Sequence, residues 1–286
     1  MAAVLWGAAA GAAAAAEKPA VVLSCPPGIQ GLAQAAAALF QAQHRDLSVT
    51  LRTAASNSGV FRDLMTGASQ LGLLTRPPKP REELMARQKG LKADAAATAL
   101  EALVFVVHPA VTVTNLSTAQ IRGLYEGHLT NWSEVGGADL PVTVVAQGPN
   151  SDMHEIYAQQ VAEAAEAAAP STVTVADSAA ACRVAAATPG AVAYAGAGAL
   201  TGVTVRVLAV DGVEPSPAAV AERRYPHRRG LFLVSTGEAG AGSPAAQFRA
   251  FLASAPVREL LAQHGFIVPV EPPRGPGEKD RDPGAR

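Results

Sequence analysis

Two short polar loops hold the residue types that could do chemistry. The first, Ser56-Asn57-Ser58-Gly59, follows an extended run that ends at Arg52. The second, Gln147-Gly148-Pro149-Asn150-Ser151-Asp152, follows the apolar run 142–146 and leads into a helix expected from Met153 to about Ala169. In each, a strand passes through small polar residues into a helix start. Backbone N–H groups and the positive end of the helix dipole then face outward, an arrangement that binds anions. Ser58 is suited to cap the first helix, its hydroxyl accepting from a first-turn N–H, and Gly67 to end it. Either loop alone is accounted for by an ordinary capped turn. Two in one chain, each after a strand, point to a ligand held between two helix N-termini.

The whole chain bounds what such a site can serve. Its 286 residues suffice for two lobes, each with its own core. Hydrophobic residues make up 49%, charged residues 16% and the net charge is −1, which excludes a disordered chain and leaves no electrostatic footprint for nucleic acid. Cys25 and Cys182 form neither a disulfide framework nor a zinc site, and they are expected to stay unbonded to each other. No spacing calls for a metal or a cofactor. Residues 1–16, MAAVLWGAAAGAAAAA, read as a signal-peptide-like leader with Ala14-Ala15-Ala16 as a cleavage site, so a periplasmic or extracellular location is expected. Val22-Leu23-Ser24-Cys25 loosely matches a lipid-attachment box, but Glu17 and Lys18 interrupt the apolar run before it. No uninterrupted apolar run of transmembrane length follows residue 16.

The elements that must position the loops alternate between strand and helix. Ala20 to Ser24 is a first strand, closed by Cys25-Pro26-Pro27-Gly28, and a helix from about Gly31 to Gln43 follows. Gln70 to Leu74 is a third strand, ended by Thr75-Arg76-Pro77, and 77–83 is polar, proline-rich and expected to be exposed. Leu103 to Val107 is a continuous apolar run suited to a buried strand. Ser117-Thr118-Ala119-Gln120 opens a capped helix. Residues 172–176 and 191–194 read as strands around an alanine-rich helix. The basic cluster ERRYPHRR (222–229) reads as a solvated face, Leu231 to Val234 as a strand, and Pro244 to His264 as one terminal helix. The tail 271–286 is rich in proline and charge and reads as disordered. Alternation of this kind builds parallel-sheet α/β architecture.

Taken together, several segments resemble the phosphate-binding proteins of bacterial phosphate ABC importers, within the type II periplasmic-binding-protein group. SNSGVFRDLMTGASQLGLLTRPPKPREE resembles that family's first binding loop, helix and strand. LVFVVHP with NLSTAQIRGLYEGHLTNWSEVGG resembles its hinge strand, capped helix and tryptophan turn. GPNSDMHE, TPGAVAYAG, YPHRRGLFLV and FLASAPVRELLAQHGFIVP fall where the second loop, the return strand and the closing segment lie. The resemblance spans roughly 20–270. It implies a two-lobed α/β fold with a ligand cleft between the lobes, lobe 1 comprising 19–104 and 227–270 and lobe 2 comprising 105–226. It also implies an exported, monomeric receptor that holds a small oxyanion and presents it to a membrane permease.

The site implied by the resemblance departs from the family pattern at several positions. Ser56 and Ser151 match the serines of the two loops. Gly28 stands where a hydroxyl residue is common, and Thr75 where some members have an aspartate. Gln147 stands at the phosphate-gripping arginine, Met153 at the second-loop threonine and Asp152 at a glycine. Asp152 in the first helical turn is expected to repel an anion, while Arg76 and His154 could restore positive charge. With Asn57, Ser58, Gly59 and Asn150 these residues complete the candidate site. Three functions fit: an oxyanion-binding receptor of an ABC importer, a non-transport sensing or degenerate module on the same fold, or a phosphomonoesterase. The last needs a nucleophile with a base, such as Ser56 or Ser151 beside His154, and has no metal spacing in support.

Overall fold

A computed structural model describes residues 18–162, 172–237 and 240–269. The leader at 1–16, the expected helix residues 163–169 and the tail 271–286 lie outside the described residues. In chain order the elements are β1 (Ala20–Cys25), α1 (Gln30–Gln43), β2 (Ser48–Thr53), α2 (Asn57–Thr66), β3 (Leu71–Leu74), α3 (Pro80–Gln88) and β4 (Asp94–Val107). Next come β5 (Asn115–Leu116), α4 (Thr118–Glu126), β6 (Thr143–Gln147), α5 (Asp152–Gln160), β7 (Val173–Val175), α6 (Ser178–Ala187) and β8 (Ala191–Gly196). The chain continues through β9 (Arg206–Val207), β10 (Ala209–Val210), α7 (Pro217–Ala221), β11 (Arg228–Ser235), α8 (Pro244–Leu252) and α9 (Ala255–Gln263).

The main sheet runs in the order β2-β1-β3-β11-β4-β8-β6-β7. At one end β1 pairs in parallel with β2 and β3, and at the other β6 pairs in parallel with β7 and β8. Between them β11 lies antiparallel to both β3 and β4. Strand β4 is the seam. Its residues Asp94 to Ala102 pair with β11, and Leu103 to Val107 pair with β8. The apolar run at 103–107 thus belongs to a strand of 14 residues whose alanine-rich start the periodicity alone does not reveal.

Each parallel set has its own core, as the two-lobed fold requires. Around β1 and β3, Leu23, Phe40, Leu73, Phe248 and Leu261 pack in one buried cluster. Around β6 and β8, Phe105, Trp132, Val144, Tyr157 and Tyr194 pack in another. Cys25 is buried in the first cluster and Cys182 in the second, and neither is bonded.

Local structure departs from the sequence expectation at several points. The cap of α2 is Ser56, not Ser58: its Oγ accepts from the Gly59 N–H at 3.2 Å. Segment 77–83 is not simply an exposed loop, because Pro80 opens α3 and Glu82 is buried, accepting from the Lys79 N–H at 2.7 Å. Proline suits a first helical turn, where its missing N–H has no partner to lose. Helix α5 ends at Gln160, and the expected terminal helix is two, α8 and α9, divided at Ala253-Ser254. The new helix starts with Pro256 in its first turn, which an uninterrupted helix would not tolerate there.

The closing segment returns to the first core through aromatic packing. Phe248 is fully buried, and its ring lies 4.9 Å from that of Phe40 in an edge-on contact. Phe248→Ala should therefore lower unfolding stability by about 3–5 kcal/mol in urea titrations followed by circular dichroism. A loss below about 1 kcal/mol would show that α8 adds little to the core it covers.

Candidate functional site

The C-terminal ends of β1, β6 and β7 open onto one cavity of about 680 Å³. The turn at Pro27–Ile29 leads into α1, Gln147 to Asp152 lead into α5, and Asp177-Ser178 start α6. A crevice outside the carboxyl ends of parallel strands is where open α/β sheets bind ligands, because helix N-termini gather there. The lining also includes Gly196 at the end of β8, Gly198 after it, Arg229 of β11, and His264 and Phe266 beyond α9.

A buried charge cluster forms the cavity's floor. Arg229, Glu101 and Asp152 are each no more than 4% exposed. Arg229 donates through Nε to Glu101 Oε2 at 2.7 Å, and its Nη2 lies 2.6 Å from the same oxygen. Its Nη1 pairs with Asp152 Oδ2, and its guanidinium carbon lies 5.7 Å from the centre of the Phe266 ring. Burial works against the Arg229 charge, but Glu101 and Asp152 outweigh it and raise its pKa. Burial pushes the Glu101 carboxyl up, although Arg229 and the Gly198 N–H pull it down. Burial, with Asp152 nearby, also pushes the Cys25 thiol up to about 11, so it is no nucleophile at neutral pH.

Asp152 explains Gly28. A Cβ on Gly28 would fall 2.8 Å from Asp152 Cγ and closer still to Oδ1. The carboxylate thus fills the space that a side chain at position 28 would need.

Gln147 and Ser151 line the cavity but are committed to each other. Gln147 Nε2 donates to the Tyr194 carbonyl at 3.1 Å and to Ser178 Oγ at 3.2 Å, and Gln147 Oε1 accepts from Ser151 Oγ at 2.7 Å. Ser151 Oγ also accepts from the Met153 N–H at 3.1 Å, so the helix start is capped by its own serine. Asn150 lines the same turn. His154 does not serve Ser151 as a base, because its Nδ1 bonds the Tyr194 hydroxyl at 2.8 Å. Ser151 itself donates to Gln147 Oε1, so the structure does not show it paired with His154 as a nucleophile with its base.

The remaining candidates, Ser56, Asn57, Ser58, Gly59, Thr75 and Arg76, are not among the residues that line the cavity. Asn57 is fully buried, donating to Thr75 Oγ1 at 3.0 Å and accepting from the Thr75 N–H at 2.8 Å. Arg76 is 4% exposed and does not reach the ligand space. Its Nε donates to Glu155 Oε1 and its Nη1 to Glu82 Oε2, both at 2.8 Å, and its Nη2 donates to Ser58 Oγ at 3.0 Å. Glu155 accepts also from Asn57 Nδ2 at 3.0 Å and from Lys79 Nζ at 2.7 Å. Burial opposes the Glu155 charge, yet these donors outweigh it and hold its pKa below the ordinary carboxylate value.

Sequence reasoning missed Arg229, Glu101 and Glu155. The cluster 222–229 is solvated only in its first part: Glu222, Arg223 and Arg224 are exposed, whereas Tyr225, His227 and Arg229 are buried. Their alternation, running into the strand at Leu231–Val234, is the signal that could have placed Arg229 on the inner face. The Asp152 carboxylate, expected to repel an anion, is paired with Arg229, a partner that sequence reasoning did not assign to it.

A family model described as a PBP superfamily domain matches residues 10–256. The phosphate-binding protein PstS of Bacillus subtilis is 26% identical over 254 residues, covering 87% of this chain and 80% of that protein. Among solved structures, an ABC-type phosphate transport receptor from Vibrio cholerae superposes with a TM-score of 0.75 at 22% identity, covering 87% of this chain and 100% of that one. A phosphate ABC transporter substrate-binding protein from Clostridium perfringens, solved with bound phosphate, gives 0.74 at 24% identity, covering 87% and 99%. The two structures show the shared fold.

The buried histidines set a pH dependence. Burial lowers the pKa of His154; it also lowers that of His227, where Arg228 adds to it and Asp211 partly opposes. The unfolded chain therefore binds more protons than the folded one below the ordinary value of 6.5. Their contribution to stability is complete above that pH and shrinks as pH falls through it toward the lower folded values. Urea midpoints measured from pH 7.5 to 5.5 should decline, and His227→Gln should flatten that decline. An unchanged slope in the variant would remove His227 from the account.

Proposed function

The chain belongs to the PBP superfamily, and from that membership we propose that it is an exported solute-binding protein capturing phosphate or a related small oxyanion for an ABC importer. The observation that carries this is the cavity at the ends of β1, β6 and β7, where several helix starts and the buried Arg229 face one space. Named relatives from Bacillus and Vibrio, a phosphate-binding protein and a phosphate transport receptor, support the choice of ligand. The protein is a binder and not an enzyme. Its partners are the oxyanion and a membrane permease, it acts as a monomer, and among the described residues no helix is long and apolar enough to cross a membrane.

The lobes divide as 19–104 with 227–270, and 105–226. Pairing of β11 with β3 and β4 supports this boundary, as does the packing of Phe248 on Phe40. Ligand contacts fall on Gly28, Asn150 and Ser151, with Gln147 holding the second loop in shape. A second reading, a sensing or degenerate module that does not transport, is favoured by one observation. Asn57 of the first loop and Arg76 grip Glu155, and Arg229 grips Asp152, so the protein's own carboxylates already occupy donors that an anion could use.

Thermal melting separates the two readings. A ligand at 100-fold excess over its Kd stabilises a protein by about 2.7 kcal/mol. In a chain of this size that raises Tm by roughly 5–10 °C. Millimolar phosphate should give a rise of that order against a chloride control, with sulfate, molybdate and phosphonates screened beside it. No shift with any of them would reject oxyanion capture in favour of the degenerate module.

A further inference from the structure

We infer that Arg229 is the cation that grips the anionic ligand, and that the Asp152 carboxylate is its tethered competitor, displaced when the ligand enters. This rests on the reading of the cavity as an oxyanion site.

Three observations converge. Gln147, at the position where a gripping cation is expected, has both its amide donors turned into the scaffold toward Tyr194 and Ser178. Among the described residues lining the cavity, Arg229 is the one arginine or lysine. Its fork is shared between two carboxylates on opposite sides, Glu101 from β4 and Asp152 from α5.

The two carboxylates are not equivalent. Glu101 is fixed on a sheet strand and also accepts from the Gly198 N–H at 3.1 Å. Asp152 sits at the first position of α5, at the cavity lining, with its carboxylate against Gly28. Glu101 therefore belongs to the frame that keeps Arg229 in place, and Asp152 is the exchangeable partner. Two carboxylates against one guanidinium leave this cluster with one excess negative charge. A further anion cannot join it without replacing one of them. A tetrahedral oxyanion can take over the Nη1 donor and also accept from backbone N–H groups, including that of Gly28. Specificity then follows from competition: only a ligand that satisfies the guanidinium fork better than a tethered carboxylate is held.

The test is calorimetric titration with inorganic phosphate. Asp152→Asn keeps the side chain's shape, removes its charge and leaves Arg229 its Glu101 partner. It should bind phosphate about tenfold more tightly than the parent, equivalent to about 1.4 kcal/mol. Adding Arg229→Lys, which retains the charge for Glu101 but lacks the planar fork, should abolish that gain. Asp152→Gly is the second variant should Asp152→Asn fold poorly, and ligand-free melting of each protein checks integrity. A parent that binds phosphate with Asp152→Asn and Asp152→Gly no tighter would overturn the competitor role while leaving the oxyanion reading intact. A double variant that keeps the gain would remove Arg229 as the grip. Binding by neither parent nor Asp152 variants overturns the oxyanion reading and this inference together.

Discussion

Helix α5 presents two carboxylates, Asp152 and Glu155, three positions apart and so on one face, and each is met by a buried arginine from outside its own core. Arg229 is delivered by β11 and Arg76 by the end of β3. A buried charge left with no partner costs several kcal/mol, and each arginine has a second carboxylate, Glu101 for Arg229 and Glu82 for Arg76, besides the one on α5. These ion pairs fix how α5 sits across the cleft. They also decide which positions remain for a ligand, since the pairs occupy donors that the two loops would otherwise turn outward.

Much of the scaffold was legible because its signals are local. The strand runs, the Gly67 stop and the Ser117-to-Gln120 capping box depend on residues within a few positions of one another, and α2 and α4 end and start as their residues dictate. What was not legible depends on distant neighbours. Residues 77–83 look like a polar loop until Glu82 is seen accepting from Arg76, after which the start of α3 is a buried element. The break between α8 and α9 was readable from Pro256 and was passed over because the apolar spacing continues through it.

The site was less legible, for a physical reason. Ser56, Ser58, Asn57, Gln147 and Ser151 were recognised by residue type, but type does not say where a hydrogen bond is spent. Gln147 and Ser151 line the cavity while bonding each other, and Ser58, outside the lining, bonds Glu82 and Arg76. Arg229 is the converse case. It lies in a run of basic residues whose average suggests solvent, and only the two-residue alternation of the following strand turns it inward. A charge cluster read by composition and one read by strand periodicity give opposite answers.

The charge balance of the cavity bears on why one arginine can still serve an anion. At a separation of 4 Å, two unit charges interact by about 4 kcal/mol at an effective dielectric constant of 20. With Glu101 retained, its repulsion offsets part of the guanidinium's attraction for a ligand that takes the place of Asp152. Net charge alone is therefore a weak basis for selection. What distinguishes one anion from another is the geometry of the fork and the number of N–H groups a ligand can accept from at once. The Phe266 ring and the burial of Arg229 restrict the fork to one orientation, so the cavity is arranged to read shape and hydrogen bonding more than charge.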